Sequence, residues 1–165
     1  MILEQDFEDF VKLLNKFGVE YMVVGGYAMA LHGKPRFTGD LDIWINISEV
    51  NAEKLIDVIN AFGLGSLGFE KRDFLQPGYI TQIGYPPLRI DILNNIDGIE
   101  FSDAILNRQK IIIEHDLEVS FIGLQDLLQN KIASGRKQDL KDVKEIRKEL
   151  PKKKIASKQK RGNRP

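Results

Sequence analysis

Two short apolar runs carry carboxylates on one side only, and this limits the chain more than any other feature. In Asp40-Leu41-Asp42-Ile43-Trp44-Ile45 the residues are β-branched, aromatic or alternating, the pattern of a central strand. Leu41, Ile43 and Ile45 then enter the core, and Asp40 and Asp42 share the opposite face. Two rises of ~3.3 Å put those two charges about 6–7 Å apart. Like charges so placed repel unless something positive lies between them, and Mg²⁺ favours such hard oxygen ligands. A third carboxylate, Asp91, sits alone in Leu88-Arg89-Ile90-Asp91-Ile92-Leu93 and points away from Ile90 and Ile92. If the two strands are neighbours, all three carboxylates occupy one surface. Two metal ions held there could bind an attacking hydroxyl and a triphosphate together.

The rest of the chain supplies elements to build around that surface. Phe7, Phe10, Val11, Leu14 and Phe17 predict an amphipathic helix over 5–17 that Gly18 ends. Tyr21–Val24 reads as a strand, followed by a brief helix near 27–32 and a loop from Gly33 to Gly39. Ser48 is an N-cap candidate for a helix over 49–62. Residues 63–78 are irregular with one helical turn at 71–75, and 79–83 pairs with 88–93 through Gly84-Tyr85-Pro86-Pro87. Asn94–Gly98 is turn-like, 101–107 a short helix, and 110–113 pairs with 117–121. Helices near 124–134 and 137–149 complete an α/β fold with a mixed β-sheet flanked by helices, and Pro151 stops the second of them.

Gly25-Gly26 follows the strand Tyr21–Val24 directly. Without a Cβ, backbone N–H groups there can meet phosphate oxygens at a helix N-terminus. Thirteen residues separate Gly26 from Asp40, room for one short helix and a return loop, so the turn and the carboxylate strand can lie side by side. Asp-x-Asp also occurs in nucleotide-sugar glycosyltransferases and in aspartyl-phosphate phosphatases. The first need a nucleotide-binding half ahead of the motif. The second need Thr or Val where this chain has Trp44, and both readings fall.

Composition narrows the class. At 165 residues the chain predicts one domain over 1–150 with a basic tail over 151–165. No apolar run approaches the ~18 residues of a membrane span. The acidic start and the absence of cysteine fit a cytoplasmic protein without disulfides or thiolate metal sites. Seven of the 24 basic side chains and none of the 24 acidic ones fall in 151–165, so residues 1–150 carry a net −7. A body that acidic does not attract polyanions over its whole surface. The tail is read as disordered, either solubilising or a site for RNA or an acidic partner.

Taken together, Val24-Gly25-Gly26, Asp40-Leu41-Asp42-Ile43 and Asp91 resemble the pattern of the nucleotidyltransferase superfamily that includes DNA polymerase β. Arg36-x-Thr38-x-Asp40-Leu41-Asp42-Ile43, Pro86-Pro87-x-Arg89-Ile90-Asp91-Ile92-Leu93 and Lys131-x-x-Ser134-Gly135-Arg136-x-x-Asp139-Leu140-x-Asp142 are similar to its small bacterial branch of minimal nucleotidyltransferases and toxin components. The resemblance covers residues 5–150 and implies the nucleotidyltransferase fold. It implies that Gly25 and Gly26 hold an NTP, that Asp40 and Asp42 bind two Mg²⁺ ions (or Mn²⁺), and that Asp91 binds the catalytic ion and helps deprotonate an acceptor hydroxyl. The outcome is NMP transfer with pyrophosphate release to RNA such as tRNA, to a protein or to a small molecule, as a toxin of a toxin–antitoxin pair or as an aminoglycoside-type modifier. The alternative is a non-catalytic nucleotide- or partner-binding module. A partner subunit or homodimer would supply the grip that a second domain provides elsewhere.

Several side chains have two readings. Lys131 and Arg136 can reach a β- or γ-phosphate or complete a helix C-terminus near Gly135. Arg36 and Thr38 can touch phosphate or pin their loop. Asp139 and Asp142 suit the first turn of the last helix, and Trp44 suits the core. His32 and His115 are too far apart in sequence to suggest a histidine metal site.

Overall fold

The structure, a computed structural model, describes residues 1–161 apart from Lys34 and Arg36, with the backbone alone at 149 and 151–161. Helix α1 (Gln5–Phe17) buries Phe7, Phe10, Val11 and Leu14 on one face. Gly18 ends it at φ 68°, and the N–H groups of Gly18 and Val19 return to the carbonyls of Asn15 and Leu14. Strand β1 (Tyr21–Val24) runs straight into α2 (Gly25–Leu31), which begins on the glycine pair rather than after it. Strand β2 (Asp40–Ile45) follows, then α3 (Glu49–Ala61), whose first turn is capped by Ser48 Oγ accepting from Asn51 N–H at 3.0 Å. A single turn α4 (Lys71–Leu75) precedes the hairpin β3 (Ile80–Tyr85) and β4 (Leu88–Leu93). After α5 (Phe101–Ala104) come the pair β5 (Gln109–Ile112) and β6 (Glu118–Phe121), then α6 (Leu124–Ser134) and α7 (Lys137–Arg161).

The six strands form one mixed sheet in the order β3-β4-β2-β1-β6-β5. The pairs β2·β4 and β1·β6, on either side of the central antiparallel pair β1·β2, are parallel, and the two outer pairs are antiparallel. Leu41, Ile43, Ile45, Ile90 and Ile92 are buried with the inner face of α1 in one core. The buried Asn51 amide ties α3 to the sheet margin, accepting from Glu20 N–H at 2.8 Å and donating to the carbonyls of Glu20 at 3.1 Å and Asn46 at 2.8 Å. Trp44, on the Asp42 face, is 1% exposed and meets Phe101 edge-on, so that face is closed at one end and open at the other.

One helix end differs from expectation: Pro151 is expected to stop the last helix near 149, and the helical backbone of α7 extends to Arg161. Residues 162–165 of the expected tail lie outside the described residues. No helix among the described residues is long and apolar enough to cross a membrane.

Candidate active site

Register brings the carboxylates together. In the parallel β2·β4 pair, Asp42 stands opposite Asp91 and Asp40 opposite Arg89. Opposed residues of paired strands share a face, so Asp40, Asp42 and Asp91 project to one side, with Leu41, Ile43, Ile90 and Ile92 buried on the other. They line an open cleft of about 730 Å³ together with Gly25, Gly26, Thr38, Lys131 and Arg136. The conditional step in the strand argument, that the two runs are neighbours, is met.

Arg89 is the residue that sequence reasoning passed over. Its Nε donates to Asp91 Oδ1 at 2.7 Å, and its Nη2 to Asp91 Oδ2 at 2.9 Å and to Asp40 Oδ2 at 3.1 Å. The signal was present in the alternation itself, since Arg89 and Asp91 are two apart on one strand. With Arg89 lying against two of the three carboxylates, the side chains as placed form no cage of three ligands for a metal ion among the described residues.

Asp42 is left out of this pairing and accepts no hydrogen bond from a described residue. Burial, then the neighbouring charges of Asp91 and Asp40, push its carboxyl from 3.8 up to about 7 against the opposing pull of Arg136 and Arg89. An acid so perturbed, facing two others, is a group short of positive charge. Three hard oxygen donors in one cleft suit a divalent cation such as Mg²⁺.

The glycine pair is packed against these acids. A Cβ on Gly25 would lie 2.1 Å from Asp42 Oδ2, and its φ of 65° is left-handed, so both space and conformation demand glycine. A Cβ on Gly26 would lie 2.9 Å from the Thr38 side chain. Thr38 Oγ1 itself donates to the Asp40 carbonyl at 3.2 Å, which pins the loop ahead of β2. Arg36, the other candidate in that loop, lies outside the described residues.

Lys131 sits at the far wall, 3% exposed, with its ammonium 3.1 Å from Asp139 Oδ1 and 2.8 Å from Asp142 Oδ2. Arg136 Nε reaches Asp139 Oδ2 at 2.7 Å but leaves most of its side chain exposed to the cleft. Burial alone would raise the Asp139 carboxyl; hydrogen bonds from Ser134, Lys131 and Arg136 outweigh it and hold the group below its ordinary range. Asp139 and Asp142 therefore join α6 to α7 through Lys131, a role beyond the helix-dipole placement expected of them. His32 bonds the Ile122 carbonyl through Nε2 at 3.0 Å, and His115 stands by Glu8 at 3.2 Å, so the two histidines serve separate places.

A family model described as nucleotidyl transferase of unknown function (DUF2204) matches residues 4–163. No curated protein sequence matches the chain. Among solved structures, a candidate nucleotidyltransferase from Thermotoga maritima aligns with TM-score 0.57 and 16% identity over 88% of this chain and 91% of its own. An antigenic nucleotidyltransferase-like protein from Paracoccidioides brasiliensis aligns with TM-score 0.54 and 16% identity over 87% and 77%. ANT(2″)-Ia, solved with adenylyl-2″-tobramycin, aligns with TM-score 0.57 and 14% identity over 92% and 91%. At such identities the likeness is one of fold, and the fold is that of the nucleotidyltransferases.

Proposed function

The chain belongs to the family of nucleotidyl transferases described as of unknown function (DUF2204), and from that premise we propose that it transfers an NMP from an NTP to a hydroxyl group in a Mg²⁺-dependent reaction. The observation that carries this reading is the pairing of Asp42 with Asp91 across β2·β4, with Asp40 on the same face and Gly25 pressed against Asp42. Asp40, Asp42 and Asp91 would hold Mg²⁺, two ions in the full array, or Mn²⁺ in its place. Bound metal would supply charge neutralisation for the triphosphate and acidify the acceptor hydroxyl.

The chain's own groups account for the remainder. Gly25 and Gly26 offer backbone close enough for phosphate oxygens to approach without a side chain in between. Arg136 faces the cleft as an exposed cation for the β- or γ-phosphate, and Lys131 backs it through Asp139. The acceptor oxygen forms a bond to the α-phosphorus as the bond to the bridging oxygen breaks. Pyrophosphate leaves, and Asp91 helps remove the hydroxyl proton. Most of the rate comes from positioning and electrostatics, as for phosphoryl transfer in general.

The acceptor is RNA such as tRNA, a protein or a small molecule; ANT(2″)-Ia, of the same fold, was solved with an adenylylated aminoglycoside. Incubation of the full chain with NTPs labelled at the α-phosphate, Mg²⁺ and fractionated cell extract tests the reading. Label in one fraction, absent with Asp42→Asn, supports it. NTP binding without transfer to any fraction refutes transfer and points to a nucleotide-sensing module. Growth arrest on expression, relieved by a neighbouring gene product, is the corresponding assay for a toxin role.

A further inference from the structure

The acidic face of β2 and β4 has a paradox built into it. Three carboxylates that ought to repel one another are held on adjacent strands of a sheet, with Asp91 11% exposed at its side chain. Two of the three are neutralised from within. Arg89 grips Asp91 with both Nε and Nη2, a two-point fork, and the same Nη2 reaches Asp40. Register explains the reach: Arg89 is directly opposite Asp40 and two residues before Asp91, so one guanidinium spans the strand gap between them. Lysine, a single point charge, could not make that bidentate contact and the bridge together.

We propose that Arg89 is the site's resident counter-ion: its guanidinium keeps Asp40 and Asp91 assembled in the metal-free protein, and divalent cations compete with it for the same oxygens. This rests on the metal-dependent reading given above. Arg89 is a positioning residue in this role, acting through the carboxylates. At 25% side-chain exposure on the cleft wall, it has solvent into which to swing when a cation takes its place. The coupling is reciprocal, because a group that loses its partners when metal binds must weaken metal binding by the same factor. Arg89 thus sets the metal affinity low enough that the array stays ordered, and not loaded, until cation and nucleotide arrive together.

The test is direct binding of Mn²⁺ alone to the full chain, read by electron paramagnetic resonance of the free ion, with no nucleotide present. Arg89→Gln is expected to bind Mn²⁺ about tenfold more tightly than the unsubstituted protein, equivalent to ~1.4 kcal/mol. In excess chelator the same variant should melt at lower temperature, and Mn²⁺ should restore it. A merely structural arginine predicts the reverse for affinity, so a folded Arg89→Gln that binds Mn²⁺ equally or more weakly overturns the proposal. A measurement on the unsubstituted protein guards against a variant that fails to fold. The Arg89 Nε–H resonance, assigned by its loss in Arg89→Lys, should shift as Mg²⁺ is titrated in; a resonance unmoved at saturation overturns the proposal. Failure of the unsubstituted protein to bind Mn²⁺ even with ATP present sinks the metal-dependent reading itself. Binding that is intact but indifferent to residue 89 sinks only the counter-ion.

Discussion

Replacing Asp42 with Asn should make the metal-free protein more stable while abolishing NMP transfer, and the size of the gain should depend on pH. The Asp42 carboxyl is raised from 3.8 to about 7 in the fold by burial, Asp91 and Asp40, with Arg136 and Arg89 only partly offsetting them. A folded value above the unfolded one means the unfolded chain gives up this proton first. The group's contribution to stability is therefore intact below about pH 4, declines as pH rises, and levels off above about pH 7. Three pH units at ~1.4 kcal/mol each give a cost of roughly 4 kcal/mol for the ionised form at pH 8. Asn has nearly the same shape and no charge, so the variant lacks this slope. Even with half the figure lost to water penetration and local relaxation, about 2 kcal/mol remains, or some 4–8 °C in Tm for a chain of this size. Differential scanning calorimetry in chelator from pH 4 to pH 8 measures it. The gain should be small at the acid end and largest at pH 8. A variant less stable than the parent at pH 8, or one whose advantage is the same at pH 4, would refute the idea that burial and the neighbouring acids make an ionised Asp42 costly.

Other substitutions probe the surrounding geometry. Gly25→Ala puts a methyl group 2.1 Å from Asp42 Oδ2 at a left-handed φ; it should cost about 1–3 kcal/mol by chemical denaturation and lower transfer more than it lowers NTP binding, and an unaltered transfer rate would dismiss the close approach. Lys131→Met takes the ammonium from the buried Asp139 and Asp142, so urea unfolding should show a loss of about 3–5 kcal/mol, whereas a loss under 1 kcal/mol would mean that the remaining donors, Ser134, Arg136 and Gln138, suffice. Asn51→Ala orphans the Glu20 N–H and takes a donor from the Asn46 carbonyl, while the Glu20 carbonyl keeps the Asn46 N–H; a drop of roughly 2–3 kcal/mol is expected in the same assay, with NTP affinity unchanged because Asn51 does not line the cleft.

Local signals reported local structure well here because they are short-range. A 3.6-residue apolar stripe, a serine before a helix and alternation along a strand each depend on a few neighbours, and α1, the Ser48 cap and the Asp40/Asp42 face follow from them. The order of strands does not. That β4 lies beside β2 in parallel, with Asp42 opposite Asp91, is a consequence of chain crossing and of which apolar faces fit together. Alternation could say only what would follow if they were neighbours.

The residues whose roles changed most are the basic ones, for a shared physical reason. A carboxylate on a strand has its direction set by the backbone, so Asp40, Asp42 and Asp91 could be assigned a face from sequence. Lysine and arginine carry their charge several bonds from the backbone, and spacing does not say where it ends. Lys131, expected to reach phosphate or cap a helix, places its ammonium between Asp139 and Asp142. Arg89, two residues from Asp91 on the same face, folds back onto it and across to Asp40. Both cations go where uncompensated acid is nearest. Asp42 is the acid to which neither of these two donates a hydrogen bond, and its carboxyl is the one that burial and its acidic neighbours raise to about 7.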